Sequence, residues 1–404
     1  MIGAFGGASR SLYEAVRAFP PGAVQPLFVA PRGSVEPFFG QLGEVEAAWG
    51  MSQVDNTHYS HYRGLRWLVA LRELAYLPAT IAALRRARRR WGAVDLIHLN
   101  EFTGLVPLWL ARRWFGAPAV VHVRSIARQD PRSWRTRWVD RMLRRHAAAV
   151  VAIDENVRAS LPADLPVEVI HNGFAPAANP HDPQLAGKLA ALRQGAFRVG
   201  FVGNLLVVKG ILDLIEAARL LQEQGVDAEY ILVGDDARPS RGLKSRLTRA
   251  IGVAQDVRAE VEDRLDRYKL RDRFHMVGFT RDIRQAYEHM DVLCFPSHYD
   301  APGRPIFEAA FSGVPAIAAV RDPKPDTLVD GVTGIAIAPR APAELAAAIA
   351  RLAADPALRR RMGAEALLMA QRNFDVQKNA ATLLAVYRRC LMADNTAAQL
   401  APTE

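Results

Sequence analysis

Short apolar runs alternate with longer stretches of helical periodicity through most of the sequence. The first half predicts strands at 94–99, 119–123 and 150–153, with amphipathic helices at 105–114 and 134–146 between them. Apolar runs of this length suit buried strands, and the intervening segments repeat with the period of a helix. Strands that alternate with helices predict an α/β fold with a parallel, doubly wound sheet.

The alternation resumes after a proline-rich interruption, which indicates a second domain. Residues 176–195 carry three prolines and no strand periodicity, and strands are predicted again at 198–202, 230–233, 292–295 and 316–319. A chain of 404 residues is also longer than one ordinary hydrophobic core requires.

These patterns set the predicted domain boundaries. We expect an N-terminal domain over 1–175, a linker over 176–195 and a C-terminal domain over 196–373. A helix at 374–392 is expected to pack back on the first domain, and 393–404 reads as a disordered tail.

The sequence opens on a glycine loop that leads into an amphipathic helix. Gly6 and Gly7 precede Ser9, which is a suitable N-cap residue. A glycine turn that binds phosphate normally follows a central parallel strand, yet at most five residues precede Gly6. We therefore expect the first domain to lack its first strand.

Composition favours a protein of the cytoplasm that is soluble or peripheral on the inner face of a membrane. Half of the residues are hydrophobic, yet no apolar run reaches the ~18 residues of a membrane span, and no basic segment leads into a signal core. The two cysteines, Cys294 and Cys390, cannot form a disulfide framework.

The net charge of +10 is concentrated in the first half. Residues 1–195 carry 24 Lys and Arg against 15 Asp and Glu, which leaves 28 against 27 for the remainder. A one-sided positive excess suits an anionic membrane surface or an anionic acceptor, and a solvated helix face is the alternative. Nucleic acid is disfavoured because no binding motif accompanies the charge. The basic clusters are Arg85, Arg86, Arg88, Arg89 and Arg90, then Arg132, Arg135, Arg137, Arg141, Arg144 and Arg145.

The segment FPSHYDAPGRPIFE, from Phe295 to Glu308, is the strongest candidate for chemistry. It follows the apolar run VLCF, and Asp300 and Glu308 flank a loop that contains Gly303 and Arg304. Ligands of open α/β sheets bind at the carboxyl ends of strands, and free amides at the start of the next helix suit an anionic or hydroxyl-rich group. The alternative is a strand–turn–helix corner capped by acids.

A second glycine turn carries a cation. FVGNLLVVKG, from Phe201 to Gly210, predicts a strand that ends in a turn, with Lys209 at the mouth of the next helix. A lysine beside free amides would bind a diphosphate through charge-assisted hydrogen bonds, each of about 1.5–3 kcal/mol. An ordinary surface lysine is the alternative.

In order and spacing these motifs resemble the retaining nucleotide-sugar glycosyltransferases of family 4, also called group 1. FVGNLLVVKGILDLIEA, VGFTRDIRQAYEHMDVLCFPS, GRPIFEAAFSGVPAIA and LVDGVTGIAI all fall in register with the family pattern. The first domain matches more loosely, through GGAS, HVRS and IHNGF. The resemblance implies the GT-B fold, with two facing Rossmann-like domains and the acceptor side in the first.

The family pattern assigns roles around the two acids. Glu308 would hold the ribose hydroxyls, and Asp300 would lie near the donor sugar, where the family normally has the longer Glu. The backbone amides of Gly303 and Arg304 would meet sugar hydroxyls or phosphate, and Lys209 would bind the diphosphate.

The remaining donor contacts would come from the glycine turns. Gly6 and Gly7 match the first-domain loop near the diphosphate, and Gly203 and Asn204 lie in the second turn. The family has an Arg where Asn204 stands, so one cation at the leaving group is lost. We hypothesise that Arg304, together with Arg281, substitutes for it.

On the acceptor side the family often has a His at the end of a first-domain strand. His122 and Arg124 of HVRS both lie in this position, and we favour Arg124 at the site with His122 in the core. His58 and His61 have near-ligand spacing without a third ligand, so a substrate loop or plain surface is favoured over a metal site.

The resemblance implies transfer from a nucleotide-diphosphate sugar to a saccharide or lipid-linked acceptor, with retention at the anomeric carbon and without a metal or other cofactor. Two alternatives remain open. The departures at Asn204, at Asp300 and at the missing strand would suit a catalytically impaired subunit that binds nucleotide. A sugar-nucleotide epimerase shares the two-domain build, but the register of GRPIFEAAFSG argues against it.

Overall fold

Two units make up the fold, and each is described by itself. The computed structural model describes residues 6–58, 68–176, 182–234, 257–280 and 283–400. The first unit comprises Met1–Ala175 with Phe374–Glu404, and the second comprises Pro176–Asn373.

The first unit contains two parallel sheets. β1 pairs with β2, and a separate sheet has the order β3-β4-β5-β6. The elements are α1 (Gly7–Arg17), β1 (Leu27–Pro31), α2 (Glu36–Phe39), β2 (Glu44–Ala48), α3 (Leu68–Ala75), α4 (Leu77–Trp91), β3 (Ile97–Leu99), α5 (Leu105–Phe115), β4 (Ala119–Val123), α6 (Trp134–His146), β5 (Ala149–Ala152), α7 (Glu155–Ala159), β6 (Glu168–Val169) and, from the end of the chain, α15 (Val376–Leu400).

Alternate residues of β4 face two different cores, which is why every position of this strand is buried. Val121 packs with Leu108 of α5 and Leu143 of α6. Val120, on the opposite face, packs in a cluster with Leu383 of α15. The last helix of the chain therefore completes the core of the first unit, and it continues to Leu400 through residues that the sequence assigns to a tail.

Local differences from the predictions have simple causes. Ser9 is not the N-cap: α1 begins at Gly7, with Gly6 as its cap residue. The long helix breaks at Tyr76, so Pro78 lies in the first turn of α4, where its missing N–H costs nothing. β2 was not predicted, because EVEAA contains too few β-branched residues to indicate a strand.

The predicted absence of a first strand concerns the residues before Gly6, which lie outside the described part of the chain. Among the described residues, β1 pairs with β2 alone and β3 with β4 alone. The expectation stays a prediction.

The second unit is one six-stranded parallel sheet with the order β12-β11-β10-β7-β8-β9. Its elements are α8 (Pro183–Leu189), β7 (Phe197–Val202), α9 (Ile211–Glu223), β8 (Ala228–Val233), α10 (Val257–Arg267), β9 (Phe274–Gly278), α11 (Ile283–Tyr287), β10 (Val292–Phe295), α12 (Arg304–Ala310), β11 (Ala316–Ala319), β12 (Gly334–Ile337), α13 (Pro342–Ala354) and α14 (Pro356–Asn373).

The strand order reverses between β7 and β10. From β7 the chain runs outward through β8 and β9, then returns to the other side of β7 and runs outward again through β10, β11 and β12. In a sheet of this kind the loops at the carboxyl ends of the two central strands diverge and leave a crevice for a ligand. This reversal places the loops after β7 and β10 next to each other.

The predicted α/β class with two Rossmann-like units is confirmed by these parallel sheets. The predicted linker is more structured than its prolines indicated, because Asp182 caps α8 by accepting hydrogen bonds from the Gln184 and Leu185 amides, both at 3.1 Å. Cys294 and Cys390 are both buried and unbridged. None of the described helices is long and apolar enough to cross a bilayer.

Candidate functional site

The loops after β7 and β10 are joined backbone to backbone. The His298 N–H donates to the Val208 carbonyl at 2.9 Å. Gly210 has a φ of 78°, and a Cβ at this position would overlap the Pro296 carbonyl. Only glycine combines this left-handed conformation with such a close approach. The turn that carries Lys209 is therefore fixed against the loop that leads to Asp300.

The Lys209 ammonium lies beside two aromatic rings. Its Nζ is 5.7 Å from the centroid of the Phe295 ring and 5.2 Å from that of Tyr299. Burial lowers the pKa of Lys209, because the charged form loses solvation. The described residues place no carboxylate within salt-bridge distance of this Nζ. The turn thus presents a positive charge that no nearby carboxylate balances, and an anionic ligand could pair with it.

The Phe295 ring links Lys209 to the start of α12. Gly303 is the N-cap of α12, and a Cβ on Gly303 would overlap the same ring. The loop can lie this close to the sheet only because position 303 has no side chain. Lys209 and the first turn of α12 therefore share one edge of the second unit.

Glu308 is a buried carboxylate held by two donors. It is 4% exposed. Arg304 donates to Oε1 from Nε at 3.0 Å and from Nη2 at 2.9 Å. The Tyr287 hydroxyl donates to Oε2 at 3.1 Å. The pair between Arg304 and Glu308 spans one helical turn, which fixes the carboxylate in a single orientation.

This pairing bears on the predicted role of Arg304. Its guanidinium is directed to Glu308, so its charge is already matched by a carboxylate. Arg281, its predicted partner in replacing the missing cation, lies outside the described residues. Within the described part of this edge, Lys209 is therefore a cation whose charge no carboxylate matches.

Asp300 has an unusual backbone and a partner that the sequence analysis missed. Its φ is 50°, in the left-handed region that non-glycine residues rarely adopt. Its Oδ1 accepts the Arg321 amide at 2.8 Å, and its Oδ2 accepts the Arg321 guanidinium at 2.6 Å. Arg321 follows β11, the strand next to β10, so the strand order would have identified it.

We expect Arg321→Ala to lower kcat about tenfold, because the remaining single amide bond would hold the Asp300 carboxylate less firmly. Stability should change by less than about 1 kcal/mol, since the Arg321 side chain is 63% exposed. Steady-state kinetics of Arg321→Ala, Asp300→Asn and the double variant would test this. Independent, additive losses would show that Arg321 does not act through Asp300.

A second pair that the sequence did not reveal supports the same loop. His298 Nε2 lies 2.7 Å from Asp213 Oδ2 of α9, and the Arg340 Nε is 3.4 Å from His298 Nδ1. The carboxylate fixes the ring orientation of His298. This contact ties the loop after β10 to α9.

Gly203 and Asn204 lie at the end of β7. The Gly203 N–H donates to the Val233 carbonyl at 2.9 Å, and Asn204 is exposed. Among the described residues no hydrogen bond connects the Asn204 side chain to Lys209, Asp300 or Glu308. Asn204 therefore lies at the end of β7 with its side chain exposed, and the structure gives it no contact with these three residues.

In the first unit, Arg124 is the centre of a polar network at the carboxyl ends of β3 and β4. It donates to Asn100 Oδ1 at 2.7 Å and to Asn172 Oδ1 at 2.6 Å. Its Nη2 lies 3.2 Å from His122 Nδ1, and His122 is only 3% exposed. His122 thus lies in the core, while Arg124 is half-buried at the strand end.

Two histidines of this network, buried His122 and half-buried His98, are held neutral. Burial and the Arg124 charge lower the pKa of His98 to about 3, and the pKa of His122 is also lowered by burial, Arg124 and His98. His98 Nδ1 lies 2.7 Å from the Tyr387 hydroxyl of α15. The network therefore connects the last helix to the predicted acceptor residues.

Gly6 and Gly7 lie at the start of α1, near this network. The Asn100 amide donates to the Ala8 carbonyl at 3.1 Å. Since Asn100 also accepts from Arg124, the glycine loop and Arg124 are linked through one side chain. The described residues of the first unit thus bring Gly6, Gly7 and Arg124 to one edge.

We expect the free energy of unfolding to fall below pH 6.5 by about 1.4 kcal/mol per pH unit for each of these histidines. Their folded-state pKa values lie below the unfolded value, so the unfolded chain binds more protons in this window. The loss from His98 should be complete near pH 3. Burial raises the pKa of Glu101, which gives an opposite slope above pH 4.5.

Urea unfolding between pH 7 and pH 5 would measure this effect in the wild type and in His98→Gln. In His98→Gln the free energy of unfolding should depend less steeply on pH, by the contribution of one histidine. An unchanged slope in a folded variant would contradict the assignment of His98 as a neutral group.

The predicted absence of a metal site is untested. His61 lies outside the described residues, and His58 is the last described residue before that gap. Within the described ranges, no three His, Cys, Asp or Glu side chains form a group that could hold a metal ion.

Two family models match the chain. "Glycosyltransferase Family 4" matches residues 5–177, and "Glycosyl transferases group 1" matches residues 190–369. Each match lies largely within one of the two units, and together they cover most of the sequence.

Curated relatives extend over both units. An alpha-D-kanosaminyltransferase of Streptomyces kanamyceticus is 28% identical over 75% of this chain and 79% of its own length. A 2-deoxystreptamine glucosyltransferase of the same organism is 29% identical over 80% of this chain and 84% of its own length.

Solved structures agree in fold. The crystal structure of Anabaena HepE in complex with UDP has a TM-score of 0.71, at 24% identity, over 96% of this chain and 97% of its own. A glycosyltransferase from Rickettsia africae has a TM-score of 0.70 at 17% identity, over 96% of each chain. The chain belongs to the group 1, family 4 glycosyltransferases of GT-B fold, and it is an enzyme of the hexosyltransferase class.

Proposed function

We propose that this glycosyltransferase moves a sugar from a nucleotide-diphosphate donor to a saccharide or lipid-linked acceptor, with retention at the anomeric carbon and without a metal ion. The observation that carries the proposal is the shared edge of the second unit, where Lys209 and α12 both contact the Phe295 ring. An anion and a pentose could bind there side by side.

Lys209 is the group we assign to the departing diphosphate. Cleavage of the sugar–phosphate bond leaves extra negative charge on the phosphate oxygens, and a fixed cation stabilises that charge as it develops. Because the lysine is partly buried, its interaction with phosphate is weakened less by water than that of a surface lysine. Phosphate binding would in turn favour its protonated form.

Glu308 is the group we assign to the ribose. Arg304 and Tyr287 occupy three of the roughly four lone-pair sites of the Glu308 carboxylate, which leaves one site on Oε2 to accept from a ribose hydroxyl. We assign Asp300, held by Arg321, to the donor sugar. A carboxylate near the anomeric carbon stabilises the oxocarbenium-like transition state.

We assign the acceptor side to the first unit, where Arg124, supported by His122, would orient the acceptor hydroxyl. In a retaining transfer that hydroxyl attacks from the face that the diphosphate leaves, and a leaving phosphate oxygen takes its proton. The glycine loop at Gly6 and Gly7 would approach the diphosphate through backbone amides.

A cytoplasmic location fits this donor, and an inner-membrane acceptor would fit the basic first half of the chain. The competing hypothesis is a catalytically impaired subunit that binds nucleotide without turnover. Asn204 and Asp300 favour it, because each departs from the family pattern.

A donor screen separates these hypotheses. Thermal-shift measurements with UDP-, GDP- and ADP-linked sugars would identify the donor, since a ligand at a hundredfold excess over its Kd stabilises a protein by about 2.7 kcal/mol. Hydrolysis or transfer with that donor, followed by NMR of the new anomeric centre, should show turnover with retention and resistance to EDTA. Tight binding without turnover would favour the impaired subunit.

A further inference from the structure

Three neighbouring helices of the first unit concentrate positive charge. α4 packs against α5, and α5 packs against α6. Together the three helices contain twelve arginines and a single acidic residue, Asp140. Their net charge of +11 is larger than the +10 of the whole chain. The excess noticed in the sequence is therefore gathered on one packed layer of helices.

Ten of these arginines are exposed. Five lie on α4, Arg113 lies on α5 and four lie on α6. On α6 the exposed positions Arg137, Arg141 and Arg144 are spaced by four and three residues, which places them on one side of the helix. We call the ten exposed arginines of α4, α5 and α6 the arginine face.

Few carboxylates compensate this charge. Arg86 pairs with Glu46 at 2.7 Å, and Arg90 pairs with Glu44 at 2.6 Å. Arg144 pairs with both Asp140 and Asp164. The other seven arginines of the face have no salt-bridge partner in the part of the chain that the structure describes. Ordinary soluble surfaces intersperse charges of both signs, so this imbalance indicates an anionic partner.

Exposed apolar side chains accompany the arginines. Trp109 of α5 is 47% exposed and Trp134 of α6 is 59% exposed. α3, which packs against α4, exposes Leu71 and Leu74 by 61% and 64%. Tryptophan is enriched at the headgroup level of membranes, where its ring can be partly apolar and partly hydrated. A soluble polyanion would leave these side chains in water.

We propose that the arginine face docks the protein onto an anionic lipid bilayer, with Trp109 and Trp134 at headgroup depth. Helices packed at roughly 10 Å spacing present a broad surface, which suits a bilayer better than a single nucleic-acid strand. Neither Lys209 nor Glu308 takes part, so this docking can fail while the proposed reaction stands.

Vesicle flotation tests the proposal. The full-length protein should float with phosphatidylcholine vesicles that contain phosphatidylglycerol, and not with phosphatidylcholine alone. Arg137→Gln, Arg141→Gln and Arg145→Gln in one chain should weaken binding about 100-fold, given the contribution expected of each basic residue at an anionic surface. The matched control replaces the exposed arginines 351, 360 and 361 of the second unit by Gln and should bind as the wild type does.

A second variant addresses the apolar contribution. The double variant Trp109→Ser, Trp134→Ser should still bind the anionic vesicles at low salt. It should be released at a salt concentration at which the wild type stays bound, because salt screens the charge attraction that remains. Circular dichroism and thermal melting confirm that each variant is folded. The proposal is overturned if the helix α6 variant and its control bind equally, or if the wild type binds oligonucleotides or heparin but no anionic vesicle.

Discussion

Lys209→Met is expected to lower kcat about 100-fold, since it removes the cation that we place on the departing diphosphate. Methionine keeps a chain of similar length against the Phe295 and Tyr299 rings, so the fold should be retained. Stability should not fall, because burial lowers the pKa of Lys209 and the wild type bears the cost of a partly desolvated charge. Steady-state kinetics with the identified donor would measure the change.

Lys378→Met is the matched control, because it removes the same charge from the exposed surface of α15. Lys209→Arg adds a pH test. Wild-type donor affinity should fall as pH rises through the lowered pKa of Lys209, below its ordinary 10.5, while an arginine stays charged. Equal kcat values for Lys209→Met and Lys378→Met would contradict the assignment.

Glu308→Ala is expected to destabilise the protein by about 3–5 kcal/mol and to abolish donor binding. It would leave the Arg304 guanidinium, whose side chain is 11% exposed, without its carboxylate, and an unpaired buried charge is costly. The Tyr287 hydroxyl would also lose its acceptor. Urea unfolding and calorimetric titration with nucleotide would measure the two effects separately.

Glu308→Gln separates folding from binding. The amide oxygen can still accept from Arg304, so most of the stability should remain, while nucleotide affinity should fall about 10- to 100-fold with the loss of a charged acceptor. Glu365→Gln, an exposed position of α14, is the control. Wild-type nucleotide affinity in a folded Glu308→Gln would remove the ribose role from this residue.

Much of the second unit could be predicted because its information is local. Within fourteen residues, the apolar run at Phe295 indicates a strand, the glycine at 303 indicates a close approach, and the acid at 308 lies in the helix that follows. Lys209 came from a second local signal, a glycine turn at the end of a strand. Its place beside the loop follows from the sheet, because the central strands of a doubly wound sheet end at one edge.

The contacts that were missed depend on strand order and on long-range packing. Arg321 reaches Asp300 only because β11 pairs with β10, and no pattern within either segment states that pairing. Tyr387 reaches His98 from a helix 289 positions later in the chain. The pair between Arg304 and Glu308 is different, because their spacing of four residues on one helix is a local pattern that indicates an ion pair.

The most direct test of the central claim is a crystal structure of the protein with UDP, or with the nucleotide that the donor screen identifies. The account predicts a diphosphate oxygen within about 3 Å of Lys209 Nζ and a ribose hydroxyl at hydrogen-bond distance from the Glu308 carboxylate. A nucleotide bound elsewhere, or bound here with its ribose turned away from Glu308, would contradict it.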